Sequence, residues 1–180
     1  RSGHEYDVDH QGNSPASGRL IIRSNRQHAN FDLFETPVTE PDESRWQVML
    51  AGDDRHYLMG HVAFANATVV CLRIDGLDQI QIIDETGTHQ IEFPEPAYSL
   101  DLGTNPTYDT NTLRIAYTSM VTPHTVYDYD WRQAKLTSLK VQEIPGGYDA
   151  EEYISERLQV TARDGSLVPL SLVRHKDTPV

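Results

Sequence analysis

The chain has 180 residues, 38% of them hydrophobic and 23% charged, with a formal net charge of −12 and a sequence pI near 4.9. That length can bury one sizeable core, hiding roughly 70% of the unfolded surface, and the apolar content is too high for a disordered chain. The acidic balance argues against nucleic acid, whose phosphates need clustered Lys and Arg, and no apolar run reaches the roughly 20 residues of a membrane-spanning helix.

Apolar residues recur with a period of two and nowhere hold helical spacing over three turns, which is the pattern of an antiparallel all-β protein. In chain order, a first group of predicted strands is Glu5–Asp9, Arg19–Ser24, Phe31–Thr36 and Trp46–Leu50. A second is Tyr57–Phe64, Thr68–Ile74, Gln79–Asp84 and His89–Phe93, and a third is Ser99–Leu102, Leu113–Ser119, Thr125–Tyr129 and Leu136–Val141. Gly12-Asn13-Ser14-Pro15 and Thr86-Gly87 read as hairpin connections. Pro94-Glu95-Pro96 removes two ladder donors and should end a sheet. Beyond Val141, Ile144-Pro145-Gly146-Gly147-Tyr148-Asp149 reads as a flexible, turn-rich link. Tyr153–Ala162 and Leu167–His175 then form a hairpin around Arg163-Asp164-Gly165-Ser166.

The grouping is more informative than any one strand. Four short strands in roughly 40 residues, repeated, is how a β-propeller is built, whereas a sandwich would show such strands without a reason to cluster by fours. The expected fold is therefore all-β: a partial β-propeller of about three four-stranded antiparallel blades over residues 1–143, a linker over 144–154, and a C-terminal β-hairpin over 155–180. Rings need about four to eight blades, so the chain reads as incomplete, an impression the missing initiator Met reinforces. Open blade edges would then favour self-association.

Three segments carry a resemblance. They are Ile144–Tyr148 (IPGGY) with Ser155–Val173 (SERLQVTARDGSLVPLSLV), Tyr117–Tyr127 (YTSMVTPHTVY), and Ile22–Arg26 (IRSNR) on through Asn30-Phe31. Together they resemble the prolyl oligopeptidase family of serine peptidases, in its oligopeptidase B branch. Thr39–Glu95 matches in strand rhythm alone. The resemblance implies the last blades of a propeller, a hinge at Pro145, Gly146 and Gly147, and the first hairpin of an α/β-hydrolase domain. It further implies a cytoplasmic enzyme that hydrolyses short peptides after Arg or Lys, needs no cofactor, and admits substrate through the propeller. The partners implied are short basic peptides and, in cis, the missing blades and the hydrolase domain. Two alternatives remain: cleavage after proline, whose specificity pocket would lie outside these residues, and a free-standing β interaction module, which would have no need of the orphan hairpin.

No catalytic residue is expected within the 180. A nucleophile elbow needs Gly-x-Ser-x-Gly, and Ser119, between Thr118 and Met120, lacks it. The eight histidines show no His-Glu-x-x-His; His56 and His61 should lie on different faces, and His175 ends the last strand. Asp7-Val8-Asp9-His10-Gln11-Gly12 begins like a calcium loop but has Gly18 where the bidentate Glu belongs, so a solvated turn is expected. Adjacent Asp53-Asp54 and Glu151-Glu152 point to opposite faces in strands and cannot share a proton. Trp46, Trp131 and most tyrosines are expected between sheets, and Cys71, the only cysteine, as a small buried hydrophobe with no partner for an internal disulfide.

Overall fold

In a computed structural model that describes residues 3–179, fourteen strands form four sheets. The first contains β1 (Tyr6–Ser14), β2 (Ser17–Ser24), β3 (Asp32–Pro37) and β4 (Gln47–Leu50). The second contains β5 (His56–Ala63), β6 (Ala67–Ile74), β7 (Leu77–Asp84) and β8 (Gly87–Gln90). The third contains β9 (Tyr98–Leu102), β10 (Thr112–Ser119), β11 (Thr125–Asp130) and β12 (Lys135–Val141). β13 (Tyr153–Thr161) and β14 (Leu167–His175) pair alone. Within every four-stranded sheet each strand is hydrogen-bonded, antiparallel, to its neighbour in sequence, which is the meander of a propeller blade. The fold is thus the partial propeller, three blades and a hairpin, that the sequence predicts.

Turn chemistry explains the closures. Asp75-Gly76 joins β6 to β7, with φ of 50° and 79°, the two positive values that a type I′ hairpin requires. The first hairpin departs from expectation: β1 continues through Gly12 to Ser14 across an irregularity after Gln11, and the turn is Pro15-Ala16. Two glycines make this crossing. A Cβ on Gly12 would stand 2.2 Å from the Ser17 carbonyl oxygen, and one on Gly18 2.1 Å from that of Gln11, so only hydrogen fits between the two backbones. Asp7 and Asp9 accordingly lie on strand β1 and not in a solvated turn; Asp9 accepts the Ala63 N–H at 2.9 Å. The fourth strand of the second blade is also shorter than predicted. β8 stops at Gln90, and Phe93 leaves the ladder to join an aromatic cluster with Tyr98 and Tyr117.

By contacts the chain forms two units, one of Arg1–Ile91 with Pro106–Thr110 and one of Glu92–Asn105 with Asn111–Val180. In the first, two blades stack face to face over Ile21, Phe31 and Leu33 from one and Leu58, Val70 and Leu72 from the other, all buried. Strand β3 is buried on both faces: Leu33 and Phe34, its neighbouring residues, are 0% and 2% exposed, Leu33 against the second blade and Phe34 against the Trp46 ring, 5.5 Å away between centroids. Polar ties cross the same seam. Gln11 donates to the carbonyls of Phe64 and Ala67 at 2.5 and 3.0 Å while accepting from Arg19 Nε at 2.6 Å. Arg23 lies 3.5 Å over the Phe31 ring, donates to the Leu58 carbonyl at 2.7 Å, and reaches Asp7 at 2.8 Å. Tyr108, on the segment Pro106–Thr110, accepts the Gly12 N–H at 2.7 Å through its hydroxyl.

The loop into β5 is closed by Asp53, whose Oδ1 accepts the N–H groups of Arg55 and His56 at 2.7 and 2.8 Å and whose Oδ2 meets His56 Nδ1 at 2.5 Å. The two amides hold this carboxyl below the usual aspartate value. A depressed folded-state value adds stability above the ordinary carboxylate range, and that stability is lost as pH falls through the depressed value. Between about pH 6 and about pH 3, wild-type protein should therefore lose more melting temperature than Asp53→Asn, which keeps the cap but does not ionise. Equal losses in parallel thermal melts would contradict this.

Candidate functional site: the third blade and its linker

The linker residues Pro145, Gly146 and Gly147 form a turn. Gly147 N–H donates to the Ile144 carbonyl at 2.9 Å, with Pro145 in the second position and Gly146 in the third at φ 92°. Those are the preferences of a type II turn, in which proline presets one angle and glycine supplies the positive one. Gly147 also has positive φ, 72°, and a Cβ at either glycine would meet nothing within 4 Å. Conformation, not crowding, therefore calls for glycine here. Asp149 then accepts the Glu151 N–H at 2.9 Å, capping the single turn Ala150–Glu152 that leads into β13.

The next residue after the glycines anchors the turn. The Tyr148 hydroxyl donates to the Val121 carbonyl at 2.7 Å, joining the linker to the loop between β10 and β11. That loop is itself closed on Ser119, whose Oγ accepts the N–H groups of Val121 and Thr122 at 2.9 and 2.6 Å. Beneath it lies Glu95, half-buried. One carboxylate oxygen accepts from the Ser119 hydroxyl and the other from the Thr122 hydroxyl. Around it stand Phe93, Tyr98, Tyr117 and Tyr127, with ring centroids 5.2–5.8 Å apart. Burial first, and then the negative charge of Glu95, push the Tyr117 hydroxyl well above its usual value; burial and Glu95 act the same way, more weakly, on Tyr127 and Tyr148. A shallow cleft of about 340 Å³ beside the loop is lined by Tyr98, Ser99, Ser119, Met120 and Ser171.

Ser119 thus spends its hydroxyl on a carboxylate and two backbone amides, an arrangement that fixes a loop and gives none of the imidazole contact that activates a serine. Trp131, Tyr117 and Tyr129 are buried, as expected of blade aromatics, but Tyr6, Tyr57, Tyr148 and Tyr153 are exposed, so most tyrosines do not lie between sheets. Trp46 is half-buried with its indole N–H on the Pro41 carbonyl at 3.1 Å. Cys71 is half-buried on β6. Among the described residues no three His, Cys, Asp or Glu side chains gather as a metal site would require, and no helix is long and apolar enough to cross a membrane. Sequence reasoning flagged the linker glycines and the 117–127 stretch but missed Glu95. The two flanking prolines mark it as a break in the sheet and carry no sign that the carboxylate turns inward.

The family model for the prolyl oligopeptidase N-terminal beta-propeller domain matches residues 1–142. The chain belongs to the prolyl oligopeptidase family. Its sequence is 35% identical over 176 residues to dipeptidyl aminopeptidase BI of Pseudoxanthomonas mexicana and 30% identical over 173 to Protease 2 of Moraxella lacunata, in each case 96% of this chain and 24% of the relative. The chain therefore spans about a quarter of these curated relatives. Among solved structures, oligopeptidase B from Trypanosoma brucei, in a closed form with covalently bound antipain, superposes with a TM-score of 0.85 at 26% identity over 100% of this chain and 26% of that one. Oligopeptidase B from Leishmania major gives 0.83 at 30% identity, over 98% and 26%.

Proposed function

We propose that these residues are the substrate-admitting propeller and the hinge of a serine oligopeptidase that hydrolyses short peptides after Arg or Lys. The observation that supports this most is the likeness to two oligopeptidase B structures over essentially the whole chain, hairpin included. In this reading β13 and β14 join the sheet of an α/β-hydrolase domain held in cis. Leu158, Val160, Val168 and Leu170, exposed on the isolated pair, are then covered by it; left uncovered, they would drive self-association. The reaction is acyl transfer by a serine with a histidine base, carried by residues beyond this chain. What this chain contributes is size exclusion by the blades and movement about Pro145, Gly146 and Gly147. A cytoplasmic location is part of the same proposal.

A second reading has support of its own: the 35% identity to a dipeptidyl aminopeptidase favours release of dipeptides from free N-termini. The full-length protein should hydrolyse an N-blocked peptide with Arg before the scissile bond, lose that activity to a serine-directed inhibitor, and leave folded proteins intact, while the 180 residues alone hydrolyse nothing. Activity confined to unblocked N-termini would favour the second reading, and cleavage after proline would move the protein to another branch. Failure on all three substrates would overturn the peptidase assignment.

A further inference from the structure

The linker is not loose, and what holds it can be followed atom by atom. A serine hydroxyl has two lone pairs and one proton. Ser119 Oγ uses its lone pairs on the Val121 and Thr122 amides, so its proton must find an acceptor elsewhere. Thr122 Oγ1 directs its proton to the same place. Two hydroxyl donors converging on one side chain need an acceptor at both of its oxygens, which a carboxylate offers and an amide does not. With both protons accepted, the loop presents the Val121 carbonyl to Tyr148, the first residue after the turn glycines.

The geometry points to Glu95 as a positioning residue for the linker, its carboxylate fixing the β10–β11 loop so that the Val121 carbonyl latches Tyr148 and holds the Pro145–Gly147 turn against the third blade. The turn is preset by proline and glycine, so one hydrogen bond at its far side suffices to choose between a docked and a released linker. That bond is exposed, which keeps release easy. The consequence for catalysis rests on the peptidase reading, because only there does the linker lie between propeller and hydrolase domain; the latch itself does not.

Hydrogen exchange read by mass spectrometry on the full-length protein tests this with three variants. Glu95→Gln is nearly isosteric but leaves one hydroxyl without an acceptor, and should speed exchange in both 119–124 and 144–150 by about three- to tenfold, the usual worth of one hydrogen bond. Tyr148→Phe should speed 144–150 alone. Combining the two should add nothing further in the linker, since each breaks the same connection. Thr122→Val, with Thr122→Ser as the rescuing control, repeats the test should Glu95→Gln fold poorly, and unchanged exchange in β6 shows that the effect is local. Glu95→Gln that loosens 119–124 while 144–150 keeps wild-type exchange overturns the latch, as does wild-type exchange in both. The peptidase reading fails separately, by absence of hydrolysis in the wild-type protein. Where hydrolysis is present, Tyr148→Phe should change kcat on short peptides at unchanged melting temperature; unaltered kcat would remove the linker from the gate.

Discussion

Replacing Leu33 with alanine should lower the stability of the full-length protein's propeller by about 2–5 kcal/mol, measured as the shift in denaturant midpoint at constant slope. Leu33 is fully buried, and it belongs to the cluster in which Ile21 and Phe31 of the first blade meet Leu58, Val70 and Leu72 of the second. Deleting its side chain removes apolar burial and leaves a cavity that two hydrogen-bonded sheets cannot collapse to fill, because shifting either one would disturb its ladder. The cost should sit at the upper end of that range if the blades are rigid and at the lower end if they slide. A loss below about 1 kcal/mol would mean that the blade-to-blade seam is not a close-packed core.

Gly18→Val should be comparably damaging for a different reason. Gly18 has φ 97°, outside what L side chains tolerate, and its Cβ would stand 2.1 Å from the Gln11 carbonyl oxygen. Backbone strain of about 1–3 kcal/mol adds to an overpacking cost of about 1–3 kcal/mol, since the clash is with main chain and not with a movable side chain. Relief requires β1 to separate from β2, which pulls Gln11 from the Phe64 and Ala67 carbonyls and so loosens the seam as well. Faster proteolysis within β1, together with a lower melting temperature, is the expected result. Wild-type stability would show that the crossing at Gly12 and Gly18 is not as tight as these distances state.

What the sequence determined by itself is the local part. The β-branched, apolar run of Thr68–Ile74 and the alternation of Leu113–Ser119 both favour extended chain, Pro145-Gly146-Gly147 presets its own turn, and the spacing of strands into fours implies blades, because each depends on neighbours in sequence and on backbone angles that few residues adopt. All twelve blade strands and both hairpin strands were legible in this way, to within a few residues at their ends. Strand ends were least so: β1 runs on through Gly12 to Ser14 in pairing with β2, and β8 stops at Gln90, with Phe93 stacked on Tyr117 instead of extending the edge. Only the tertiary structure decided that Gln11 would reach across to the next blade, that Leu33 and Phe34 would both be buried on one strand, and that Glu95 would turn beneath the β10–β11 loop to meet Ser119 and Thr122. Those facts join residues that are distant along the chain. A pattern of period two records which face a side chain takes, and carries no information on what the fold will place opposite it.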